Sequence, residues 1–157
     1  MKIMALTLGG VTLAAALAAP AAAQRGTVAK GPDPAVIKDT EIEKDARHNL
    51  EVARHYFKMK KAYFASFKRA EELIEGYPEF TQLDEALYIA GMSSLYLSEG
   101  KGKQKPPAAP AEAAEMYSPE RLRGGAQSYL SRLVGGYPES KFRKEAEEVL
   151  ARLGEKK

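Results

Sequence analysis

Residues 63–79, YFASFKRAEELIEGYPE, end in the same way as residues 123–139, RGGAQSYLSRLVGGYPE, sixty positions later. Gly76-Tyr77-Pro78-Glu79 recurs as Gly136-Tyr137-Pro138-Glu139, and upstream the register holds: Ser66 matches Ala126, Ala70 matches Leu130, Leu73 matches Leu133. Small or apolar positions thus recur at fixed distances before a common stop. There the glycine suits a left-handed cap and the proline cannot continue a helix. Two unrelated amphipathic helices could share such an ending, but an internal repeat also explains the register. Sixty residues exceed the roughly 34 of one stacked helix pair, and an insertion accounts for the surplus.

Working outward, the apolar spacing predicts helices on both sides of each stop. Thr40 and Glu43 have capping-box spacing, and Ile42, Ala46, Leu50, Ala53 and Phe57 follow at intervals of three and four. This predicts a helix over about 40–59. After Lys60-Lys61 a second stripe comprises Tyr63, Phe67, Ala70, Leu73 and Ile74. A third helix is expected over 81–98, with Ala90-Gly91 in its middle. Glycine there costs about 1 kcal/mol of helix propensity relative to alanine, so a neighbouring helix should pass close by. Ser118-Pro119-Glu120 is a good helix start, leading into Leu122, Ala126, Tyr129, Leu130, Leu133 and Val134. A last helix over 140–153 carries Phe142, Ala146, Val149, Leu150 and Leu153, with Lys141, Arg143, Lys144, Glu147 and Glu148 on its outer side.

The flanks read differently. Residues 1–23 begin with Met1-Lys2, run uncharged from Ile3 to Ala19 and finish on Ala21-Ala22-Ala23, the pattern of an export signal cut before Gln24. An uncleaved anchor is the alternative, although the stretch is short and broken by Pro20. Cleavage leaves 134 of the 157 residues, with a net charge of +2 once Lys2 is gone. Residues 24–38 contain two Gly and two Pro with no sustained apolar period and read as a flexible leader. The folded domain is then 39–154, with a Pro/Lys-rich insertion at 99–117. The insertion reads as a solvated loop with a short helical turn at 111–117, and its Lys101, Lys103 and Lys105 could meet an acidic headgroup or partner.

The expected fold is all-α: about two and a half tetratricopeptide-like helical hairpins, each leaving an apolar side for its neighbour, with the last helix as a polar cap. The stretch Leu50-Glu-Val-Ala-Arg-His-Tyr-Phe-Lys-Met-Lys-Lys-Ala-Tyr63, followed by Ser66, Arg69, Tyr77-Pro78 and Asp84-Glu-Ala-Leu-Tyr88, resembles the BamD-like tetratricopeptide proteins. The ending Tyr137-Pro138-Glu-Ser140 and the closing helix with Ala146 resemble that family's later repeats. The resemblance covers about residues 46–153. It implies a scaffold on the periplasmic side of the outer membrane, where the family helps assemble β-barrel proteins and receive unfolded clients. Two departures stand out: no Cys follows the signal segment to carry the family's lipid anchor, and the full-length family has five helical units.

Composition narrows the chemistry. With 24 Lys+Arg, 21 Asp+Glu and no Cys, the chain is charge-balanced and has no disulfides or thiolate sites. His48 and His55, seven residues apart, lie on one helix face about 10 Å apart along the axis, too far for one metal ion. Glu71-Glu72 and Glu147-Glu148 sit at pairing distance from Lys68, Arg69, Arg143 and Lys144, which suits solvated ion pairs better than acid–base catalysis. No phosphate-cradling loop or nucleophile elbow is present. The basic run Lys58-Met-Lys-Lys61 is flanked by Tyr56, Phe57 and Tyr63, but Phe57 and Tyr63 fall on buried stripes, which argues against stacking on nucleic acid. No catalytic residue, metal or cofactor is expected.

Binding should then use the groove lined by the first helix of each pair, with Arg54, His55, Glu85, Tyr88 and Met92 as its candidates. Tyr88 and Met92 could equally be core. The expected role is a non-catalytic, exported, periplasmic protein–protein scaffold that holds protein or peptide segments of the cell envelope, with membrane contact at most peripheral. The alternative is a structural module of the envelope that associates with itself as a homo-oligomer.

Overall fold

A computed structural model describes residues 34–108 and 110–155; the export signal and most of the leader expected at 1–33 lie outside them. The described residues are α-helical with connecting turns and contain no strand. They form α1 (Pro34–His55), which continues into a π-helical turn (Tyr56–Lys60), α2 (Tyr63–Gly76), α3 (Leu83–Ser98), the short α4 (Ala111–Met116), α5 (Pro119–Gly136) and α6 (Arg143–Glu155). The all-α expectation holds for them. No helix among the described residues is long and apolar enough to cross a membrane.

α1 starts earlier than its sequence suggests. Pro34 takes the first helical position, where its fixed φ fits and its missing N–H costs nothing. Residues 34–38 are therefore helical rather than leader, and Thr40 lies inside the helix instead of capping it. Glu43 instead accepts a 2.6 Å hydrogen bond from the Thr81 hydroxyl, which holds its carboxyl below the usual range. α5 begins as expected, with Pro119 at its first position and the Ser118 hydroxyl accepting from the Arg121 N–H.

The repeated tetrapeptide forms the same turn twice. Tyr77 (φ −135°, ψ 63°) and Tyr137 (φ −130°, ψ 72°) each end a helix, donating to the Leu73 and Leu133 carbonyls at 2.9 Å. Phe80 N–H then reaches the Tyr77 carbonyl and Ser140 N–H the Tyr137 carbonyl, both at 3.1 Å. The cap is not the left-handed glycine expected. Gly76 and Gly136 are the last helical residues, and Tyr77 and Tyr137 end the helices with φ negative. Each turn is tied to an earlier helix that is not its immediate chain neighbour: Thr81 bonds Glu43 in the middle of α1, and the Ser140 hydroxyl bonds Asp84 in the first turn of α3 at 2.6 Å.

Chain neighbours pack as α1 on α2, α2 on α3 and α5 on α6, and the most extensive interface lays α5 on α3. α3 is thus the central helix, buried almost all round as its largely apolar sequence demands. Residues matched across the repeat are buried alike: Ser66 and Ala126, Ala70 and Leu130, and Leu73 and Leu133 are each fully buried. α6 differs from α3 at positions matched across the sixty-residue offset. Ala146 and Val149 are buried like Ala86 and Ile89, but Glu147 and Glu148 stand exposed where α3 has buried Leu87 and Tyr88. The close approach expected at Gly91 is present, since a Cβ there would lie 2.7 Å from the Leu130 side chain. The acidic pairs form ion pairs on helix faces, Lys68 with Glu71, Arg69 with Glu72 and Arg143 with Glu147.

The insertion is not a free solvated loop. Lys61 takes a left-handed conformation (φ 50°) that closes the π-helical turn, and its carbonyl accepts the Lys103 N–H at 3.1 Å. Gly102 (φ 98°) approaches so closely that a Cβ would stand 2.7 Å from the Tyr63 ring. Gln104 then supplies what α2 lacks: Ala62 offers no side-chain cap, and the Gln104 Oε1 accepts the Ala65 N–H at 3.2 Å. Gln104→Ala should therefore destabilise the fold by about 1 kcal/mol, the usual worth of a helix cap. Urea denaturation checks this; an unchanged midpoint would mean that the loop does not cap α2.

Candidate partner-binding face

Five aromatic rings from three parts of the chain form one continuous stripe. Phe57 of the π-helical turn lies 5.7 Å from Tyr63, 6.3 Å from Tyr88 and 6.1 Å from Tyr96, ring centroid to centroid. Tyr63 and Tyr96 approach to 4.7 Å, and Tyr88 stacks on Phe142, in the turn before α6, at 4.5 Å and 18°. Tyr88 is buried while Phe57, Tyr63, Tyr96 and Phe142 are half-buried, so four rings keep part of their surface in solvent. Such pairs add about 0.5–1.5 kcal/mol each beyond area burial, which keeps the stripe rigid.

Charged groups border the rings. Arg54 on α1 donates through Nε to Glu85 on α3 at 2.7 Å, and Lys141 Nζ lies 3.7 Å from the other Glu85 oxygen. Burial alone would raise the Glu85 pKa, but the Arg54 hydrogen bond and the Arg54, Lys141 and Lys58 charges outweigh it and hold the carboxyl below its usual range. Lys141 also stands 4.8 Å over the Phe142 ring, and Lys101 stands 5.3 Å over Tyr96. Burial, and then a hydrogen bond to the Glu145 carboxylate, push the Tyr88 hydroxyl well above its ordinary pKa. It stays a neutral donor at any physiological pH.

The five sequence candidates do not form one open groove. Arg54, Glu85 and Tyr88 do come together, but Glu85 and Tyr88 are buried as structural partners rather than lining a groove. Met92, 3% exposed, is core. α5 and α2 cover α3 from two sides, so the position expected to face the groove faces protein instead. His55 is exposed on α1, edge-on to Tyr56, beside a shallow hollow of about 420 Å³ shared with Glu51, Arg54, Lys58 and Met59. The face that could hold a ligand is made by residues that spacing alone did not single out: Phe57, Tyr63, Tyr96 and Phe142, with Lys141 and Glu145. A weak signal was present, since Tyr88, Met92 and Tyr96 recur every four residues along α3.

Half-exposed rings bordered by lysines and carboxylates can grip an apolar side chain and pair a polar one. Among the described residues no group of three His, Asp or Glu side chains could hold a metal ion. No family model matches the sequence, and neither curated proteins nor solved structures give a match.

Proposed function

We propose that the chain is a non-catalytic scaffold of tetratricopeptide-like hairpins, resembling the BamD-like proteins, that is exported and holds protein or peptide segments of the cell envelope. The observation that carries this is the half-buried aromatic stripe shared by the end of α1, by α3 and by the turn before α6. Elements from three separate parts of the array contribute to one surface, as a helical-repeat protein needs in order to hold an extended segment. The twice-formed tyrosine–proline turn and the polar outer side of α6 support the array, and the stretch from Leu50 to Tyr88 supports the family.

Site-specific photocrosslinking tests the proposal. A photoreactive residue in place of Phe142 should capture defined envelope proteins, whereas one in place of Gln127, exposed on α5, should not. Lys141→Glu should reduce capture several-fold by reversing a bordering charge. Equal labelling from both positions would overturn the scaffold role of this face. Capture of the chain itself alone would favour a self-associating module.

A further inference from the structure

Two lysine-bearing segments far apart in sequence form one surface. Lys58, Lys60 and Lys61 lie on the π-helical turn and its end, and Lys101, Lys103 and Lys105 on the loop bonded to it. All six are exposed, and Met59, 73% exposed, stands among the first three. The juxtaposition is held by backbone: the Lys103 N–H donates to the Lys61 carbonyl at 3.1 Å, and Gly102 seats against Tyr63 and that same carbonyl. Among the described residues, only Lys101 of the six forms an ion pair, with Glu99 at 2.7 Å.

We propose that this end of the molecule docks on an anionic lipid surface. Like charges on one surface repel one another, and a diffuse surface of opposite sign relieves that repulsion along the whole patch. The cations are all lysines, compact and strongly hydrated, which suits a layer of mobile headgroups better than the bidentate grip on a single phosphate or carboxylate that arginine provides. An acidic peptide would be better served by a deep concavity with directional donors, whereas the hollow beside Lys58 is shallow and Met59 on its edge is 73% exposed. A protruding thioether amid cations can enter the interfacial layer while the lysines stay at headgroup level. Each lysine brought to such a surface strengthens binding by roughly fivefold.

The test uses the purified full chain and sedimented vesicles. Binding is expected to phosphatidylglycerol-containing vesicles at low salt, to be lost at high salt, and to be absent from pure phosphatidylcholine. Lys58→Gln/Lys60→Gln/Lys61→Gln, checked by circular dichroism to be folded, should bind roughly a hundredfold more weakly. Gly102→Ala keeps every charge but cannot seat the loop, and should weaken binding several-fold. Equal binding to neutral vesicles, or a triple variant that binds like the parent, would overturn the proposal. Capture of polyglutamate without vesicle binding would overturn it in favour of an acidic polypeptide. The readout is lipid, so failure here leaves the proposed scaffold role standing, and failure of the crosslinking leaves this one standing.

Discussion

Leu130→Ala should destabilise the protein by about 3–5 kcal/mol, and adding Gly91→Ala should return part of that loss although Gly91→Ala alone is harmful. Leu130 is fully buried in the most extensive helix interface, α5 on α3, so truncating it removes transfer energy and leaves a cavity. Gly91 faces it: a Cβ built there would stand 2.7 Å from both Leu130 Cγ and Cδ2, and 3.4 Å from the Ala126 carbonyl oxygen. Cγ is not the free end of a flexible chain, so a Cβ there forces Leu130 or the helix that carries it to shift. In the parent, the overpacking cost of about 1–3 kcal/mol should exceed the helix propensity gained, about 1 kcal/mol. Once Leu130 is alanine the obstruction is gone, and the same Cβ both fills the void and favours the helix. The effect of Gly91→Ala therefore changes sign with its background, a coupling of about 1–3 kcal/mol. Chemical denaturation of the four proteins of the cycle measures it. Stabilisation by Gly91→Ala in the parent would mean that α3 and α5 do not meet there.

The helices were legible because their apolar spacing is regular, and the repeat because two turns share four letters. What the letters did not convey was the mechanism of the turn. Glycine at 76 and 136 suggested a left-handed cap, yet both stay helical with open space where a Cβ would be, and Tyr77 and Tyr137 end the helices with φ negative. The start of α1 was misplaced because two start signals compete. Pro34 fits the first helical position, and once a helix is nucleated there Thr40 has no reason to interrupt it. The docking of the insertion was illegible for another reason: one anchor is a backbone N–H on a backbone carbonyl, which any residue but proline at 103 could donate, and the other is the side-chain carbonyl of Gln104, which no periodicity assigns to α2. Gly102 marks it, by a conformation and a closeness that other residues tolerate poorly.

The binding face was the least legible part. Periodicity assigns a residue to a buried side but does not separate a ring covered on both faces from one covered on one. Tyr88 and Tyr96 share a side of α3, yet Tyr88 is closed over by Phe142 while Tyr96, packed against Phe57 and Tyr63, stays partly exposed. That difference arises from where the turn before α6 lies, a tertiary fact settled by contacts such as the Ser140 hydroxyl on Asp84. The Arg54–Glu85 pair shows the same dependence. Both residues were noticed as groove candidates, but their partnership depends on how α1 crosses α3.

Arg54→Ala is expected to cost about 2–4 kcal/mol at neutral pH, and to cost less as the pH falls. The Glu85 side chain is only 7% exposed, so removing Arg54 strands a carboxylate out of water; what remains nearby is Lys141 at 3.7 Å, itself 74% exposed and well screened. The range lies below that for a fully buried pair because Arg54 is itself 34% exposed. In the parent, the folded Glu85 pKa lies below its ordinary 4.5, so the pair's stabilisation is complete above that value and is lost as the pH falls through the depressed one. In Arg54→Ala the sign reverses. Burial then dominates, the folded pKa rises above the unfolded one, and the native state takes up a proton that the unfolded chain does not hold. Stability of the variant should increase as the pH drops from 7 towards 5, while the parent stays level over that interval as far as this group is concerned. Glu85→Gln in the Arg54→Ala background should recover much of the loss at neutral pH, since an amide carries no charge to desolvate. Denaturant titrations across that pH range measure both effects. A deficit in Arg54→Ala that is the same at pH 7 and pH 5, or that Glu85→Gln deepens, would mean that the buried carboxylate is not what Arg54 sustains.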